Sequence, residues 1–389
     1  MVAMRGGIKL CIACFCIMLI FIISGCTIEG SNPDSAKNGL AEPIKIGFIG
    51  SLTGNVAVAG ESMRRGVEIA EKEINQNGGI NGRPVRVIYE DDSCDSKKTI
   101  SAFNKLVAID KVKVIIGPLC SGTVLSVAPL AESNGIVLFT PVATAADISK
   151  AGDYIFRDSI SDTYQGKFLA EYLYDNLGFR NMGVIYVNND YGVQLFGSFK
   201  ENFDKRGGKI RIAEIYGTGE TDFRTNLIKI KDKNVDGLLI ICNGKECGLI
   251  PKQARELGID VRFVATDNFY SPDSVQIGGS AVEGTVLTAP ALDKASSAVQ
   301  YLMQKSIMAY GDEPSKPHLT ANAYDALMII ADAIQSGGYS SSAVKEYIYR
   351  VKDYTGVGGV LTFDENGDVE KPLEIFVVKN GKFEKYGSP

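Results

Sequence analysis

Short apolar runs alternate with amphipathic stretches along almost the whole chain from Pro43 onward. Residues 44–49 are mostly apolar and isoleucine-rich, which predicts a strand. Residues 61–75 predict a helix, because their apolar side chains recur at a spacing that places them on one face: Met63, Val67, Ala70 and Ile74. Strands separated by helices of about 10–15 residues are typical of βαβ units on a parallel sheet. The chain is therefore predicted to have an α/β fold.

The alternation forms two consecutive series, and each series predicts a lobe with a doubly wound parallel sheet. In the first series, strands are predicted at 44–49, 85–89, 112–116 and 136–139, and helices at 61–75, 97–109 and 123–133. In the second series, strands are predicted at 182–187, 210–215, 237–241 and 261–265, and helices at 162–177, 193–204, 223–230 and 245–257. Two longer helices at 296–310 and 321–335 follow, and then a small antiparallel pair at 374–378 and 381–386. Asp162 and Gln165 have the spacing of a capping box at the start of the helix at 162–177.

An export signal precedes the predicted lobes. Arg5 and Lys9 supply a short basic segment, and residues 10–23 form an apolar run shorter than the roughly 20 residues that cross a bilayer. The sequence Ile23-Ser24-Gly25-Cys26 resembles a bacterial lipobox, so residues 1–25 are predicted to be a lipoprotein signal peptide and Cys26 the lipidated N-terminus. Residues 26–43 are predicted to be a flexible tether. The alternatives are an ordinary signal with a chance cysteine and an uncleaved anchor.

Charge and histidine content exclude several classes of function. The formal net charge is −5, and no basic cluster remains once the signal is removed, so nucleic acid is not an expected partner. His318 is the only histidine, which excludes His-paired nucleophiles and multi-histidine metal sites. The first predicted turn, at 50–54, has neither a dinucleotide-binding nor a P-loop pattern. A carboxylate-only or lysine-based enzyme stays an alternative, but no nearby pair of acidic residues indicates one. No catalytic residue, cofactor or metal is expected.

A set of short motifs resembles the type I periplasmic binding proteins of branched-chain amino acid ABC importers. These motifs occur in one order: 78–84 (GGINGRP), 91–95 (DDSCD), 116–121 (IGPLCS), 140–144 (TPVAT) and 189–192 (NDYG). The resemblance covers essentially everything from Pro43 to the C-terminus. It implies two lobes, 44–160 plus 290–362 and 161–289 plus 363–389, joined by a three-stranded hinge that passes near Ser161, Pro290 and Phe363.

The resemblance also implies a ligand site. Ser121 and Thr144, with the backbone at Val142, are expected to hold the α-carboxylate of an amino acid. Both hydroxyls follow predicted strands, and ligands of open parallel sheets bind at the carboxyl ends of strands, where helix N-termini favour anions. Asp267 matches the acid that pairs with the α-ammonium group, and Tyr191 matches an aromatic pocket wall. The alternatives are helix N-caps for Ser121 and Thr144, a turn residue for Asp267 and a core tyrosine for Tyr191.

Two segments depart from the family, and four cysteines need an assignment. Where members carry aromatic residues, this chain has Val58-Ala59-Gly60 in one segment and Cys242-Asn243-Gly244-Lys245 in the other, so a leucine-like specificity does not follow from the resemblance. By resemblance, Cys94 and Cys120 form a disulfide. Cys242 and Cys247 have no family precedent, and either two free thiols or a second bridge fits the sequence.

These observations predict an extracytoplasmic solute-binding protein, lipid-anchored to the cell membrane, that is not an enzyme. The family implies that it captures a branched-chain or related amino acid between two closing lobes and delivers it to an ABC transporter permease. The alternative is a ligand-sensing domain for an amide, urea or amino-acid derivative that acts with a separate regulatory partner, since such sensors share this fold.

Overall fold

A computed structural model describes residues 42–387. The predicted signal peptide, the lipidation site Cys26 and nearly all of the tether lie outside the described residues. Within residues 42–387, no helix is both long enough and apolar enough to span a lipid bilayer.

The described part of the chain alternates strands and helices, as the sequence predicts. The strands are β1 Ile44–Gly50, β2 Val85–Asp91, β3 Val114–Ile116, β4 Val137–Thr140, β5 Ile155–Arg157, β6 Asn181–Val187, β7 Lys209–Tyr216, β8 Gly237–Ile241, β9 Arg262–Ala265, β10 Val286–Pro290, β11 Tyr354–Gly356, β12 Gly359–Leu361, β13 Leu373–Lys379 and β14 Lys382–Lys385. The helices are α1 Ala57–Gln76, α2 Ser96–Asn104, α3 Ser121–Asn134, α4 Asp162–Glu171, α5 Asp190–Lys205, α6 Arg224–Lys231, α7 Glu246–Glu256, α8 Pro272–Gly278, α9 Ser297–Tyr310, α10 Pro317–Gly337 and α11 Ser341–Arg350.

Lobe 1 is built on a five-stranded parallel sheet with the order β2-β1-β3-β4-β5. Helices α1 and α10 pack together on one face of this sheet, and the predicted apolar face of α1 is buried there. Helices α2 and α3 cover the other face with a second core cluster. Because β1 lies between β2 and β3, the chain winds in opposite directions on its two sides, which confirms the predicted doubly wound lobe.

Lobe 2 is built on a seven-stranded sheet with the order β14-β13-β10-β9-β8-β6-β7. Strands β6 to β10 run parallel, and β13 and β14 complete the sheet as antiparallel strands. The predicted C-terminal antiparallel pair is therefore confirmed, and it belongs to the larger sheet of lobe 2. One continuous core packs this sheet against α4, α5 and α7.

Three passages connect the two sheets within residues 42–387: between β5 and α4, between β10 and α9, and before β13. The third passage differs from the sequence expectation, which assigned 363–389 to lobe 2. Phe363 and Val369 lie in the core of lobe 1, where the Phe363 ring centroid is 5.6 Å from that of Phe139. The chain therefore joins the second sheet only at β13. A buried ion pair between Lys371 and Asp158, 2.5 Å apart, ties the third passage to the first.

The start of α4 also differs from the prediction. Ser161, rather than Asp162, is the N-cap, and its hydroxyl accepts a hydrogen bond from Thr163 N at 3.3 Å. Gln165 does not close a capping box, because its amide donates instead to Asp267 and Thr288 of lobe 2. The predicted helix at 162–177 is α-helical to Glu171 and then continues as a π-helical turn at Tyr172–Asn176.

Candidate functional site

A cavity of about 450 Å³ lies between the two lobes, and we call it the interlobe cavity. Its walls include the loops that follow β1, β3 and β4 in lobe 1 and β6, β8 and β9 in lobe 2. All of these loops leave the carboxyl ends of parallel strands, where open α/β sheets bind ligands. The residues predicted from the sequence to bind a ligand all line this one cavity: Ser121, Val142, Thr144, Tyr191 and Asp267.

Lobe 1 contributes hydroxyl and backbone donors. The turn after β3 needs a glycine at position 117, because its φ is 105° and a Cβ there would clash with Ile49 O. Helix α3 then begins at Ser121. Ser121 is not an N-cap, because Cys120 occupies that position. Its Oγ accepts hydrogen bonds from Thr144 N at 3.3 Å and Ala145 N at 3.2 Å. Since a hydroxyl has one proton as well as its lone pairs, Ser121 keeps a donor for a ligand.

The loop that carries Thr144 is held rigidly from behind. Arg157 is fully buried, and its guanidinium donates to the carbonyl oxygens of Thr144 and Ala145 at 2.9 Å each. The same guanidinium contacts Ser149 Oγ at 2.7 Å and Asp368 Oδ2 at 2.6 Å. With its carbonyls bound by Arg157 and the N–H groups of Thr144 and Ala145 bound by Ser121, this loop holds the Thr144 side chain in a fixed position at the cavity.

Lobe 2 contributes a carboxylate. Asp267 follows β9, and its Oδ1 accepts from Gln165 Nε2 at 3.0 Å and from Tyr191 OH at 3.2 Å. Burial raises the pKa of Asp267, while the Gln165 amide, the positive charge of Lys316 and the Tyr191 hydroxyl oppose the rise. Behind it, burial and the charge of Asp267 hold the pKa of Asp162 well above its usual range. Two acids thus lie close together, and Asp267 is the one that faces the cavity.

Tyr191 packs in the core of lobe 2 and also lines the cavity. It lies in the first turn of α5, whose N-cap Asn189 accepts from Gly192 N at 2.9 Å. The side chain belongs to the core of lobe 2 and is 7% exposed. Its hydroxyl is 2.8 Å from Thr266 Oγ1 and reaches Asp267, so the ring wall and the carboxylate have a fixed relative position.

Several cavity residues were not identified from the sequence. Lys316 is the residue before α10, and its Nζ donates to the carbonyl oxygens of Asn268 at 3.2 Å and Tyr270 at 3.4 Å. Burial lowers the pKa of Lys316 to about 8, against the opposing charges of Asp267 and Asp273. Asn55 and Asn268 also line the cavity. The two segments that lack the aromatic residues of the family also line the cavity, through Val58, Ala59, Asn243 and Gly244.

Both cysteine pairs are disulfide-bonded in the structure. Cys94 and Cys120 have Cα atoms 5.7 Å apart and line the cavity beside Ser121. Cys242 and Cys247, whose pairing the sequence left open, have Cα atoms 5.2 Å apart and hold the short loop that contains Asn243. Within residues 42–387, no group of three or more His, Cys, Asp or Glu side chains is placed to hold a metal ion.

Comparisons with known proteins agree with this architecture. The family model described as "Periplasmic binding protein" matches residues 43–382. The leucine-, isoleucine-, valine-, threonine- and alanine-binding protein of Pseudomonas aeruginosa is 30% identical over 335 residues, which cover 85% of this chain and 88% of that protein.

Solved structures give the same result. The leucine binding protein LivK of Thermotoga maritima superposes with a TM-score of 0.82 at 29% identity, covering 88% of this chain and 98% of that one. The branched-chain amino acid transporter substrate binding protein LivJ of Streptococcus pneumoniae, solved in complex with isoleucine, superposes with a TM-score of 0.81 at 29% identity and the same coverage.

Proposed function

The chain belongs to the periplasmic binding protein family, and on that basis we propose that it captures an amino acid, branched-chain or related, between its two lobes and delivers it to an ABC importer. The relatives that support this proposal are a leucine-, isoleucine-, valine-, threonine- and alanine-binding protein, a leucine binding protein, and a transporter component with isoleucine bound.

The observation that carries the proposal is the division of the polar groups between the lobes. Ser121, Thr144 and the backbone at Val142 belong to lobe 1 and suit an α-carboxylate. Asp267 and Tyr191 belong to lobe 2, and the carboxylate suits an α-ammonium group. A zwitterion that contacts both sets stabilises the arrangement in which the lobes are together, so binding and closure are coupled.

In this proposal the ligand is released unchanged. The side chains that face the cavity bind and orient a zwitterion, and family membership supports a solute-binding role. The partner is the permease of an ABC transporter. The protein acts outside the cytoplasm, attached through a lipid on Cys26, and the lipobox-like sequence Ile23-Ser24-Gly25-Cys26 supports this anchor.

The experiment is a thermal-shift screen of purified mature protein against the twenty amino acids, followed by calorimetry on the best ligand. A ligand that binds only the folded state raises the melting temperature by mass action. We expect micromolar or tighter binding, about −8 kcal/mol or more favourable, and recovery of the ligand unchanged by mass analysis. Absence of a shift with every amino acid, or detection of a product, would contradict the proposal.

A further inference from the structure

The interlobe cavity has a polar wall beyond the groups assigned to the α-carboxylate and α-ammonium. The side chains of this wall come from both lobes: Asn55 and Lys316 from lobe 1, and Asn243 and Asn268 from lobe 2. Apolar residues also line the cavity, mainly on the lobe 1 side: Val56, Val58, Ala59 and Leu119. An aliphatic ligand side chain would leave this wall without ligand partners. Buried polar groups without partners cost binding free energy.

Lys316 is the cation of this wall. It is 7% exposed, and among the described residues that line the cavity it is the only lysine, arginine or histidine. An ammonium group has three N–H donors, and two of them go to the carbonyl oxygens of Asn268 and Tyr270. Within the described part of the chain, the third donor has no hydrogen-bond acceptor.

The amides of the wall also leave groups for a ligand. Asn268 Nδ2 donates to Asn243 Oδ1 at 2.7 Å. Each amide carries one acceptor oxygen and one NH₂ group, so this pair keeps an oxygen and an NH₂ group after its mutual bond. Asn55 is different, because its Nδ2 already donates to the carboxylate of Glu246, with both carboxylate oxygens 2.9 Å away.

The charges that face the cavity indicate which functional group the ligand side chain carries. Lys316 and Asp267 are near enough for each charge to act on the other group. The charges of Asp267 and Asp273 both act on Lys316, but among the described residues neither carboxylate forms an ion pair with its Nζ. If the ligand is a simple zwitterion, its α-ammonium and the Lys316 ammonium share the charge of Asp267, while the ligand's carboxylate is held by neutral donors. A second acceptor on the ligand would give Lys316 its own partner and leave Asp267 to the α-ammonium.

We infer that the ligand is an α-amino acid whose side chain ends in an acceptor oxygen, a carboxylate or a carboxamide, and that Lys316 selects it. This inference rests on the proposed function and narrows it to a ligand class. Asp190 and Asp273 also line the cavity, but both lie in the first turn of a helix, where the dipole stabilises a negative charge without a bound cation.

The test is calorimetry at pH 7 with glutamate, aspartate, glutamine, asparagine, leucine and lysine on wild type, Lys316→Met and Lys316→Arg. Methionine keeps the length of the side chain and removes the charge, whereas arginine keeps the charge. Lys72→Met, an exposed lysine on α1 that does not line the cavity, is the matched control. Melting curves verify that each variant is folded.

In wild type we expect an acceptor-bearing amino acid to bind at least tenfold more tightly than leucine. Lys316→Met should lower that ratio at least tenfold, Lys316→Arg should restore part of it, and Lys72→Met should leave it unchanged. The affinity for a ligand with a side-chain carboxylate should depend on the charge at position 316 more strongly than the affinity for a ligand with a carboxamide. This difference distinguishes the two kinds of acceptor group.

Three outcomes would overturn the inference: tighter binding of leucine than of every acceptor-bearing ligand, tighter binding of lysine, or an equal loss for all ligands in Lys316→Met. The last result would mean that Lys316 only holds the lobes together. Each of these outcomes leaves amino-acid binding intact, whereas failure of all amino acids to bind wild type would contradict the proposed function itself.

Discussion

The Asn55 amide of lobe 1 donates to both carboxylate oxygens of Glu246 in lobe 2, each at 2.9 Å. Glu246 is 1% exposed, and its Oε1 also accepts from Gly219 N at 2.9 Å. A buried carboxylate is therefore completed by a residue that reaches it only when the lobes meet. At another point of the interface, Gln194 and Asp147 pair across the lobes at 2.8 and 3.0 Å, in a more exposed position.

The first prediction concerns this contact. Asn55→Asp places a second carboxylate against buried Glu246, so repulsion should oppose closure and lower ligand affinity at least tenfold, about 1.4 kcal/mol. Calorimetry measures the affinity, and small-angle scattering at saturating ligand should show a less compact particle than wild type. Gln194→Glu makes the same chemical change opposite Asp147 but in a solvated position, and should cost less than about 1 kcal/mol. Equal affinities for wild type and Asn55→Asp would contradict the role of this contact.

The second prediction concerns the groups that hold the ligand. Asp267→Ala should weaken binding by about 2–5 kcal/mol, because the α-ammonium is left buried without its partner. Ser121→Ala and Thr144→Ala should each cost about 1–3 kcal/mol, since neighbouring backbone donors remain. Titration calorimetry with several ligands should show similar losses for each, because all share the same α-groups. If Asp267→Ala binds within a factor of two of wild type, Asp267 is only a turn residue.

Most of the fold follows from short-range sequence patterns. Strands such as β1 and β8 are recognisable as short, nearly continuous apolar runs, and α1 shows a clear apolar face. Elements without a clear sequence signal are short or partly polar: β5 has three residues, and β10 contains Thr288 and ends at Pro290. The third passage was misplaced because burial of Phe363 in lobe 1 depends on a contact with Phe139, which is distant in sequence.

The site residues that could be predicted from the sequence are polar residues that follow predicted strands. Ser121 and Thr144 follow strands of lobe 1 and Asp267 follows a strand of lobe 2, so topology places each at the carboxyl edge of its own sheet. Lys316 precedes a helix in lobe 1 and reaches carbonyls of lobe 2, and no local pattern distinguishes it from a solvated lysine. Pairing of Cys242 with Cys247 likewise depends on a fold that keeps their Cα atoms 5.2 Å apart.

The third prediction concerns pH. Burial, with the nearby positive charges of Lys316, Lys371 and Lys294, lowers the pKa of His318 to about 3. Between about pH 6.5 and 3 the unfolded chain therefore holds a proton on this residue that the folded protein does not, and stability falls as the pH falls. Relative to His318→Gln, wild type should lose up to about 1.4 kcal/mol per pH unit in that window. Urea unfolding at pH 7, 6, 5 and 4 measures this difference, and parallel curves would refute it.

The fourth prediction separates the two disulfides. The Cys94–Cys120 bridge spans 26 residues and the Cys242–Cys247 bridge spans 5. In the chain-entropy model, replacing each pair with serine should lower the free energy of unfolding by about 3.5 and about 2 kcal/mol respectively. Denaturant titration of the two double variants checks the order, and a larger loss for the shorter loop would contradict it. Ligand affinity should also fall in the Cys242→Ser/Cys247→Ser variant, because Asn243 lies inside that loop.

The fifth prediction concerns the proposed anchor. Cys26→Ala removes the thiol that would carry the lipid, so the variant should leave the membrane fraction while wild type remains in it. Cell fractionation with immunodetection measures the distribution, and Cys26→Ser is a second variant without lipidation chemistry. Equal membrane association of all three proteins would mean that the apolar run at 10–23 is itself the anchor.

The Asn55–Glu246 contact includes no ligand atom, so its free energy is available to the empty protein as well as to the loaded one. Under the proposed function, a transporter that recognises the closed form binds an empty closed molecule as well as a loaded one. To keep the closed form near one in a hundred of the empty molecules, the open form must be favoured by about 2.8 kcal/mol. A stronger contact would raise affinity and at the same time occupy the transporter with empty carriers. Under the proposed function, the free energy of the Asn55–Glu246 contact therefore affects both the ligand affinity and the population of closed, empty protein.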